Sequence, residues 1–389
     1  MTGLSSAERR ALTLLSFLAD PADAALGTVL QDRPAADVLA AIHEPDGRAA
    51  AVLGGQLQAA GGRNRLERWR ARLEMLPTAA QFGGWARAGL RLALPGDGEW
   101  PAQLDDLGIA RPLVLWIRGS ADLGAACANS VSVVGSRAAT GYGLQVAVEL
   151  SAALSERGYA VVSGGAYGID TRAHQGALIS GGCTVAVLAG GLSYGYPNGQ
   201  YGLFEQIAEC GALVSECPPE QPPTRPGFLI RNRLIAALSR GTVVVQAALR
   251  SGALNTARHA RELCRPVMAV PGPVTAEQSA GCHELIMSYG AVCVTAARDV
   301  IEHISPLGTG GEGPRTGASR RRDSLDPVMT AVLEAVPASG GRRPADIAIR
   351  AGIEHDAAVS CLGRLAAEGF VEVGKHGWRA IKQREHDEP

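Results

Sequence analysis

Apolar residues recur at helical spacing along roughly the first 90 positions of the chain. The segments that carry this pattern are separated by Pro and Gly, and they are LTLLSFLADPADAALGTVL, ADVLAAI and RNRLERWRARLEML. Apolar positions three and four residues apart form one face of an amphipathic helix. No alternation typical of strands is present before about Leu90. The pattern predicts a helical N-terminal domain over residues 1–90.

Short, continuous apolar runs replace the helical pattern after this region. The first is PLVLWIRG at residues 112 to 119, and those from residue 129 onward are VSVVG, YAVVSGG, CTVAVLAGG, GALVSEC, GTVVVQAA, RPVMAVPG and AVCVTAA. Helical segments such as LQVAVELSAALSERG and FLIRNRLIAALSR separate them. Strands that are apolar throughout are typical of a parallel sheet buried on both faces. The alternation predicts an α/β fold with a doubly wound parallel sheet over residues 91–304.

The pattern changes again after Ile304. Residues 305–324 have no apolar periodicity, which predicts a flexible linker. Residues 325–389 carry three short helical patterns and then FVEVGKHGWRAI, a hairpin that turns at Lys375 to Gly377. Three helices and a hairpin indicate a winged-helix-like domain. Such domains bind nucleic acids or dock other proteins, and the sequence leaves both functions open.

Right-handed crossovers place every strand-to-helix turn of a parallel sheet on one edge, where ligands bind. Four turns at this edge are rich in glycine or arginine: Gly135-Ser136-Arg137, SGGAYGID at residues 163–170, FLIRNR at 228–233 and RSGALNTA at 250–257. The first turn matches neither the dinucleotide pattern G-x-G-x-x-G nor the phosphate-loop pattern G-x-x-x-x-G-K-[ST]. It predicts a turn that faces a phosphate without belonging to a known nucleotide signature.

Charge adds a local feature to an almost neutral chain. The 389 residues carry a formal net charge of −1, so a site for a polyanion must be a local patch. Residues 225–265 contain eight arginines and one acidic residue, Glu262. Arg231 and Arg233 cannot share one helical face, and both follow the Pro-rich loop PPEQPPTRPG within one turn. A polyanion groove therefore explains the cluster better than a solvated helix face does.

The same edge offers little for catalysis. Asp170 and His174 are four residues apart and could form an acid/base pair, but a helix cap by Asp170 and packing of His174 under the glycine turn explain them better. No second carboxylate or nucleophile has a spacing that fits a mechanism. Ser163 and Ser251 are predicted to donate hydrogen bonds to phosphate. We expect a binding protein and not an enzyme.

Cysteine spacing and hydropathy bear on metal binding, membrane contact and the cellular location of the protein. The eight cysteines include no C-x-x-C pair, which predicts reduced thiols and no metal site or cofactor. The apolar segment ALTLLSFLAD near the start is too short to span a membrane and lacks a cleavage-like tail. We expect a cytoplasmic protein without a membrane partner.

Several motifs together resemble the DNA-processing protein A (DprA/Smf) family. They are, in chain order, VVGSR, SGGAYGIDTRAH, VAVLAGGLSYGYP, LVSECPP, FLIRNRLIAALS, RSGALNTA and PGPVTAEQSAGCHELI. The resemblance covers roughly residues 95 to 304. It implies an extended Rossmann-like fold, mostly parallel, that binds and protects single-stranded DNA and loads the RecA recombinase onto it during natural transformation or recombination. It also implies a homodimer formed through this domain.

The groove and the resemblance together predict one set of DNA-binding residues. The set is Gly135, Ser136, Arg137, Ser163, Gly164, Gly165, Tyr167, Phe228, Arg231, Asn232, Arg233, Arg250 and Ser251. Two positions depart from the family. Tyr167 stands where the family usually has Arg or Lys, and its ring offers a stacking face for a base. Gln246 stands where the family commonly has Glu.

Two other functions are weighed against DNA binding. Sheets with a glycine-rich edge also serve phosphoribohydrolases that act on nucleoside monophosphates, but those enzymes carry P-G-G-x-G-T-x-x-E. The comparable segment here, SGALNTARHARE, has no Glu at that spacing. The second alternative is a transcriptional regulator that binds duplex DNA through the winged-helix-like domain.

Overall fold

The computed structural model describes residues 4–44, 62–193, 199–305 and 325–381. The chain divides into two compact units, residues 1–310 and residues 311–389, and each unit is considered by itself. Of the predicted linker, residues 305–324, all but Ser305 lie outside the described residues.

The first part of the larger unit is helical, in agreement with the periodicity of its sequence. Its α-helices are α1 (Ser6–Leu18), α2 (Ala24–Asp32), α3 (Ala35–His43), α4 (Gly62–Ala71) and α5 (Ala79–Arg87). Side-chain oxygens of Ser5, Asp23 and Thr78 accept hydrogen bonds from backbone N–H groups in the first turns of α1, α2 and α5. These caps satisfy donors that a helix leaves without partners, so they fix where each helix begins.

A mixed sheet with helices on its faces forms the rest of this unit. Its strands are β1 (Leu90–Ala93), β2 (Leu115–Arg118), β3 (Ser130–Gly135), β4 (Ala160–Gly164), β5 (Thr184–Val187), β6 (Ala212–Ser215), β7 (Thr242–Gln246), β8 (Val267–Ala269) and β9 (Val292–Cys293). The α-helices that connect or follow them are α6 (Leu123–Ala128), α7 (Gly141–Glu156), α8 (Ile169–Ile179), α9 (Tyr201–Cys210), α10 (Arg225–Leu238), α11 (Gly252–Glu262), α12 (Ala280–Tyr289) and α13 (Ala297–Ile304).

The strand order confirms the predicted doubly wound, mostly parallel α/β fold. Within the described residues the sheet runs β1-β2-β6-β5-β4-β3-β7-β8-β9. Every pair from β6 to β9 in this order is parallel, whereas β2 pairs antiparallel with both β6 and β1. The central strands are buried on both faces, which is why their sequences are apolar throughout.

Strand β1 is an element that the sequence pattern does not predict. It begins at Leu90, where only a helical domain and its boundary are expected, and it pairs with β2 from Leu90 opposite Arg118 to Ala93 opposite Leu115. The Arg91 guanidinium donates to Glu99 and to the carbonyl of Gly119. Four residues are too few to show the alternation of apolar and polar positions that predicts a strand. Strand β1 therefore depends on its pairing with β2, which is distant in the sequence.

An aromatic cluster joins the N-terminal helices to this edge of the sheet. The Trp85 ring of α5 lies 5.4 Å from the Trp116 ring of β2 and 5.9 Å from the Phe17 ring of α1, measured between centroids. Phe82 stacks on Trp116 at 6.3 Å. Such ring pairs add packing energy beyond the burial of their area. The helical region and the sheet therefore share one hydrophobic core.

The smaller unit contains α14 (Pro327–Ala335), α15 (Pro344–Ala351), α16 (His355–Ala367) and the hairpin β10 (Val371–Gly374) and β11 (Gly377–Ala380). An isolated antiparallel bridge joins Arg342 to Trp378 and extends the hairpin toward the start of α15. These elements match the three helices and hairpin expected from sequence. The winged-helix assignment itself stays a prediction.

Replacing Trp85 with alanine tests the aromatic cluster. We expect Trp85→Ala to lower the free energy of unfolding by about 3–5 kcal/mol, because it leaves a cavity among rings that cannot close around it. Urea unfolding followed by far-UV circular dichroism measures the effect, and Trp85→Phe, which keeps a ring, should lose less. A loss below about 1 kcal/mol for Trp85→Ala would show that the cluster does not hold the helices to the sheet.

Candidate nucleic-acid interface

A cleft lies where the winding of the sheet changes direction. Strand order proceeds from β3 through β4 to β5 on one side and from β7 to β9 on the other, so β3 and β7 are neighbours at the switch point. The helices that follow adjacent strands at such a point diverge, which opens a crevice at the carboxyl ends of the strands. This position follows from topology alone.

The cleft has a volume of about 470 Å³ and is formed mainly by three segments, with Ala166 and Asp170 of the turn after β4 at its base. They are the turn after β3, the first half of α10 and the turn after β7 with the start of α11. The structure brings together eight of the thirteen predicted site residues here: Gly135, Ser136, Arg137, Phe228, Arg231, Asn232, Arg250 and Ser251.

Arg137 and Phe228 form the most distinctive contact in the cleft. The carbon at the centre of the Arg137 guanidinium lies 4.8 Å from the centroid of the Phe228 ring, so a cation covers the aromatic face. Arg137 is exposed and Phe228 half-buried. Arg250, also exposed, lines the opposite side. The cleft therefore presents two cationic groups and one aromatic ring to solvent.

The turn after β3 is shaped by close approach of the backbone. A Cβ at Gly135 would lie 2.5 Å from Ile169 Cγ1 and 2.8 Å from the carbonyl oxygen of Gln246, so only glycine fits. The backbone N–H of Ser136 donates to that same carbonyl at 2.7 Å. The Ser136 hydroxyl oxygen accepts from the N–H of Ala138 at 3.1 Å. These bonds fix the direction in which Arg137 leaves the turn.

Gln246 supports this turn from behind and does not line the cleft. Its side-chain oxygen accepts from the backbone N–H of Thr140 at 2.8 Å, and its amide nitrogen donates to the Thr140 hydroxyl at 3.0 Å. A glutamate has no such donor unless protonated. The pair of bonds between Gln246 and Thr140 therefore holds the start of α7.

Arg231 and Asp170 are buried beneath the cleft. Arg231 is 7% exposed, donates through Nη1 to the carbonyl of Val187, and has its pKa lowered to about 10 by burial. Burial raises the pKa of Asp170, and the positive charges of Arg231 and Arg137 oppose that rise. A Cβ on Gly164 would lie 2.5 Å from both Arg231 Nη1 and Asp170 Oδ2, so the two groups meet beside this glycine.

The predicted cap by Asp170 is wrong. The residue before the first turn of α8 is Gly168, whose φ of 84° favours glycine, and no side chain caps the helix. Asp170 lies inside the first turn and accepts a hydrogen bond from the backbone N–H of Ala166. Its carboxylate faces the arginines and not the helix terminus.

The glycine turn after β4 lies behind the cleft. Ser163 is fully buried and its hydroxyl donates to the carbonyl of Val133 at 2.6 Å, so it cannot serve as the expected phosphate donor. A Cβ on Gly165 would lie 2.6 Å from Leu188. Tyr167 is 52% exposed but does not line the cleft. The turn supports Arg231 and contributes only Ala166 and the buried Asp170 to the lining of the cleft.

Ser251 lies on the wall of the cleft that is formed by the turn after β7. It immediately precedes α11 and caps the first turn of this helix. Its side-chain oxygen accepts from the N–H of Ala253 at 3.3 Å, and it remains partly exposed in the cleft. Asn232 reaches the same turn from α10, because its Nδ2 donates to the carbonyl of Gly252 at 3.2 Å. This bond ties the two walls together.

The arginine cluster of residues 225–265 does not form a single groove. Helix α10 begins at Arg225, with Thr224 as its cap, so Arg231 and Arg233 lie well inside the helix and not in its first turn. Arg233 is 4% exposed and its Nη2 donates to both oxygens of Glu216 at 2.7 and 2.8 Å. Arg233 is therefore buried in an ion pair and does not line the cleft. Arg265 likewise donates to carbonyls of α10 and to Asp106.

His174 holds the glycine turn in place, as expected. It is fully buried, with Nε2 2.8 Å from the carbonyl of Gly164 and Nδ1 2.7 Å from the Thr184 hydroxyl. A neutral ring donates from Nε2 to the carbonyl of Gly164, and its Nδ1 shares the single hydroxyl hydrogen of Thr184 with the carbonyl of Val161, which lies 2.7 Å from the Thr184 oxygen. Burial lowers the pKa of His174 to about 4. His174 therefore has a structural role, because its fully buried ring cannot contact a substrate.

The cysteines, possible metal ligands and helix hydropathy relate to the expectations about thiols, metal sites and membranes. All eight cysteines lie in the described part of the chain and are free thiols. Among the described residues, no group of three or more His, Cys, Asp or Glu side chains is arranged to hold a metal ion. In the same residues, no helix has the length and hydropathy needed to cross a membrane.

Comparison with known proteins gives a consistent result. The family model of DNA recombination-mediator protein A matches residues 91–305. A DNA processing protein DprA of Mycobacterium tuberculosis is 42% identical over 385 residues, which cover 96% of this chain and 94% of that protein. The DprA of Streptococcus pneumoniae is 40% identical over 205 residues, 53% of this chain and 71% of that protein.

The fold is also found among solved structures. An X-ray structure of DNA processing protein A from Streptococcus pneumoniae superposes with a TM-score of 0.61 at 30% sequence identity. The superposition covers 77% of this chain and 98% of that one. The resemblance seen in the sequence motifs is confirmed.

The buried His174 predicts a specific dependence of stability on acid. Because its folded-state pKa of about 4 lies below the ordinary 6.5, its contribution is present above pH 6.5 and is lost as the pH falls toward 4. We expect about 3 kcal/mol to be lost across this window. Urea unfolding at several pH values, compared with His174→Gln, isolates the effect, since the carboxyl groups titrate in both proteins. Parallel pH profiles for the two would contradict the assignment.

Proposed function

The chain belongs to the DNA recombination-mediator protein A family, and from this premise we propose that the cleft between β3 and β7 binds single-stranded DNA. The observation that carries the proposal is the exposed Arg137 guanidinium stacked on Phe228, opposite Arg250. Proteins that bind single strands combine cationic groups for the backbone with aromatic rings for the bases. The cleft supplies both in one place.

The components of the cleft suit an unpaired strand better than a duplex. A base can stack on Phe228 only if its face is not covered by a neighbour in a double helix, and each such contact is worth about 1–3 kcal/mol. The Arg137 guanidinium now covers that face, so a base either displaces it or stacks on its outer side. In both cases the guanidinium stays close enough to contact the adjoining phosphate.

Burial divides the charged residues into two roles. Arg137 and Arg250 are exposed and contact the strand directly. Arg231 is buried against Asp170 and the carbonyl of Val187, so it contributes a fixed positive potential under the cleft and positions its walls. Breaking such a buried pair destabilises the fold, which makes Arg231 a poor residue for testing binding alone.

We propose that the chain acts by binding and not by catalysis. Asp170 is the one carboxylate among the described residues that line the cleft, and it faces guanidinium groups. The buried His174 and Ser163 do not line the cleft, so Asp170 has no second acid or base beside it there and a phosphoribohydrolase-like reaction is not favoured. A regulator that reads duplex DNA through residues 325–381 is not favoured either, because the cleft would then have no role.

The wider activity follows from family membership. We propose that the bound strand is protected and passed to the RecA recombinase, and that two chains pair as a homodimer in the cytoplasm. Two clefts on one strand would raise the overall affinity through effective concentration.

Sedimentation equilibrium should give the mass of two chains. RecA should begin to hydrolyse ATP on single-stranded DNA sooner with this protein than without it. An unchanged delay before ATP hydrolysis would contradict RecA loading.

Removing the two exposed arginines tests the cleft. We expect Arg137→Ala with Arg250→Ala to weaken binding of labelled oligo-dT and to reduce the slope of log affinity against log salt by about 0.7 for each phosphate that the variant no longer neutralises. Fluorescence anisotropy over a salt series measures both quantities. Arg157→Ala, on an exposed arginine at the end of α7, is the matched control and should leave the slope unchanged.

The outcome separates the proposal from a general electrostatic effect. If the control lowers the slope as much as the cleft variant does, binding depends on the overall charge and not on the cleft. If the wild type prefers duplex over single strands, the single-strand proposal fails.

A further inference from the structure

An acidic side chain lies at the floor of the cleft that we propose binds a polyanion. Asp170 is 6% exposed and lines the cleft together with Arg231, which is 7% exposed. A carboxylate close to the phosphates of a strand repels them, so attraction of the strand does not explain its position. Support of Arg231 explains why the two charges lie together, but not why both of them line the cleft.

Glycine at position 164 allows these two groups to meet at the floor. A Cβ there would lie 2.5 Å from Asp170 Oδ2, and 2.5 and 2.6 Å from the two terminal nitrogens of Arg231. Arg231 Nε donates to Asn232 Oδ1 and Nη1 donates to the carbonyl of Val187, which leaves the Nη2 hydrogens beside the carboxylate. The floor therefore presents an acceptor, Asp170, next to a donor, Arg231.

The aromatic ring of the cleft lies one helical turn from this donor. Phe228 and Arg231 are three residues apart on α10 and both line the cleft, so they share one face of the helix. The Arg137 guanidinium connects the ring to the floor. It lies 4.8 Å from the Phe228 centroid, and its charge opposes the rise that burial causes in the pKa of Asp170. A base stacked on Phe228 therefore has its edge within reach of Asp170 and Arg231.

An acceptor next to a donor matches the pairing edge of any unpaired base. This edge carries a donor beside an acceptor in all four bases: N6–H and N1 in adenine, N4–H and N3 in cytosine, N1–H and O6 in guanine, and N3–H and O4 in thymine. A carboxylate accepts from the N–H of the base, and a guanidinium donates to its acceptor. In a duplex the partner base occupies the same edge, so these bonds cannot form.

We propose that Asp170 and Arg231 bind the pairing edge of one unpaired base whose face stacks on Phe228. The inference deepens the proposed function and rests on it, because it needs a strand in the cleft. It gives the protein a means of selecting single strands over duplex without selecting a sequence. The carboxylate is then a recognition group, and the bond that it accepts from the base offsets its repulsion of phosphate.

Modified strands test the edge on the wild-type full chain. Oligo-dT of about 16 nucleotides is compared with the same strand built from N3-methylthymidine and with an abasic strand of equal length, all with the same phosphate charge. The N3-methyl group removes the donor of the edge and keeps the face of the ring. We expect about tenfold weaker binding than for oligo-dT, with an unchanged salt slope. Equal affinity for the methylated and unmodified strands would overturn the proposal.

Asp170→Asn tests the carboxylate through the sign of its effect. The abasic strand should bind Asp170→Asn more tightly than wild type, because a negative charge near its phosphates is gone. Oligo-dT should instead bind Asp170→Asn several-fold more weakly, since a neutral amide accepts a weaker hydrogen bond from the base than a carboxylate does. Thermal unfolding of the variant shows whether it folds; if it does not, the methylated strand on wild type still decides.

Two other outcomes for a folded Asp170→Asn overturn the inference. Weaker binding of both strands by the same factor would show that Asp170 acts only by positioning Arg231. Tighter binding of both strands would show that no base contacts the carboxylate. Failure of the proposed function is distinct, since oligo-dT would then not bind wild type, or would bind regardless of Arg137 and Arg250.

Discussion

The adjacency of β3 and β7 is the constraint on which the functional surface depends. Because the chain winds outward from this pair in both directions, the turns after the two strands have no crossover helix between them and leave a crevice. Apart from Ala166, the cleft residues that reach solvent lie in one of these turns, in α10 or at the start of α11. The glycine at position 135 makes the closest approach, since the carbonyl of Gln246 on β7 leaves it no room for a side chain.

Charge in this region is divided between the interior and the surface. Arg231, Asp170 and His174 are buried together around the glycine turn after β4, where an ionised carboxylate and guanidinium lose hydration that only their mutual contact and backbone bonds offset. They fix the floor of the cleft. Arg137 and Arg250 keep their hydration until a ligand arrives, so their charge is free to act in binding and responds to salt. The proposed recognition of phosphate therefore depends on side chains that contribute little to folding.

The sequence predicts the architecture well because the signals are local and long. Continuous apolar strands such as VSVVG and GTVVVQAA specify a parallel sheet, and the sheet places its turns on one edge. The prediction fails where long-range contacts decide. Strand β1 exists because β2 pairs with it, Arg233 is withdrawn from the cleft by Glu216, and Ser163 donates to a carbonyl of the neighbouring strand. A count of arginines along the chain cannot distinguish an exposed guanidinium from a buried one. The direction of helix α10, which sends Arg231 and Arg233 to different surroundings, is set only by packing.

Photocrosslinking locates the strand most directly. A single-stranded oligonucleotide containing 5-iodo-deoxyuridine is bound to the full chain and irradiated, and the modified peptides are identified by mass spectrometry. The account predicts crosslinks on the segment of α10 that contains Phe228, because a base stacked on this ring lies within bonding distance of it. Crosslinks confined to residues 325–381, from a strand that binds tightly, would place recognition in the smaller unit and contradict the cleft as the site.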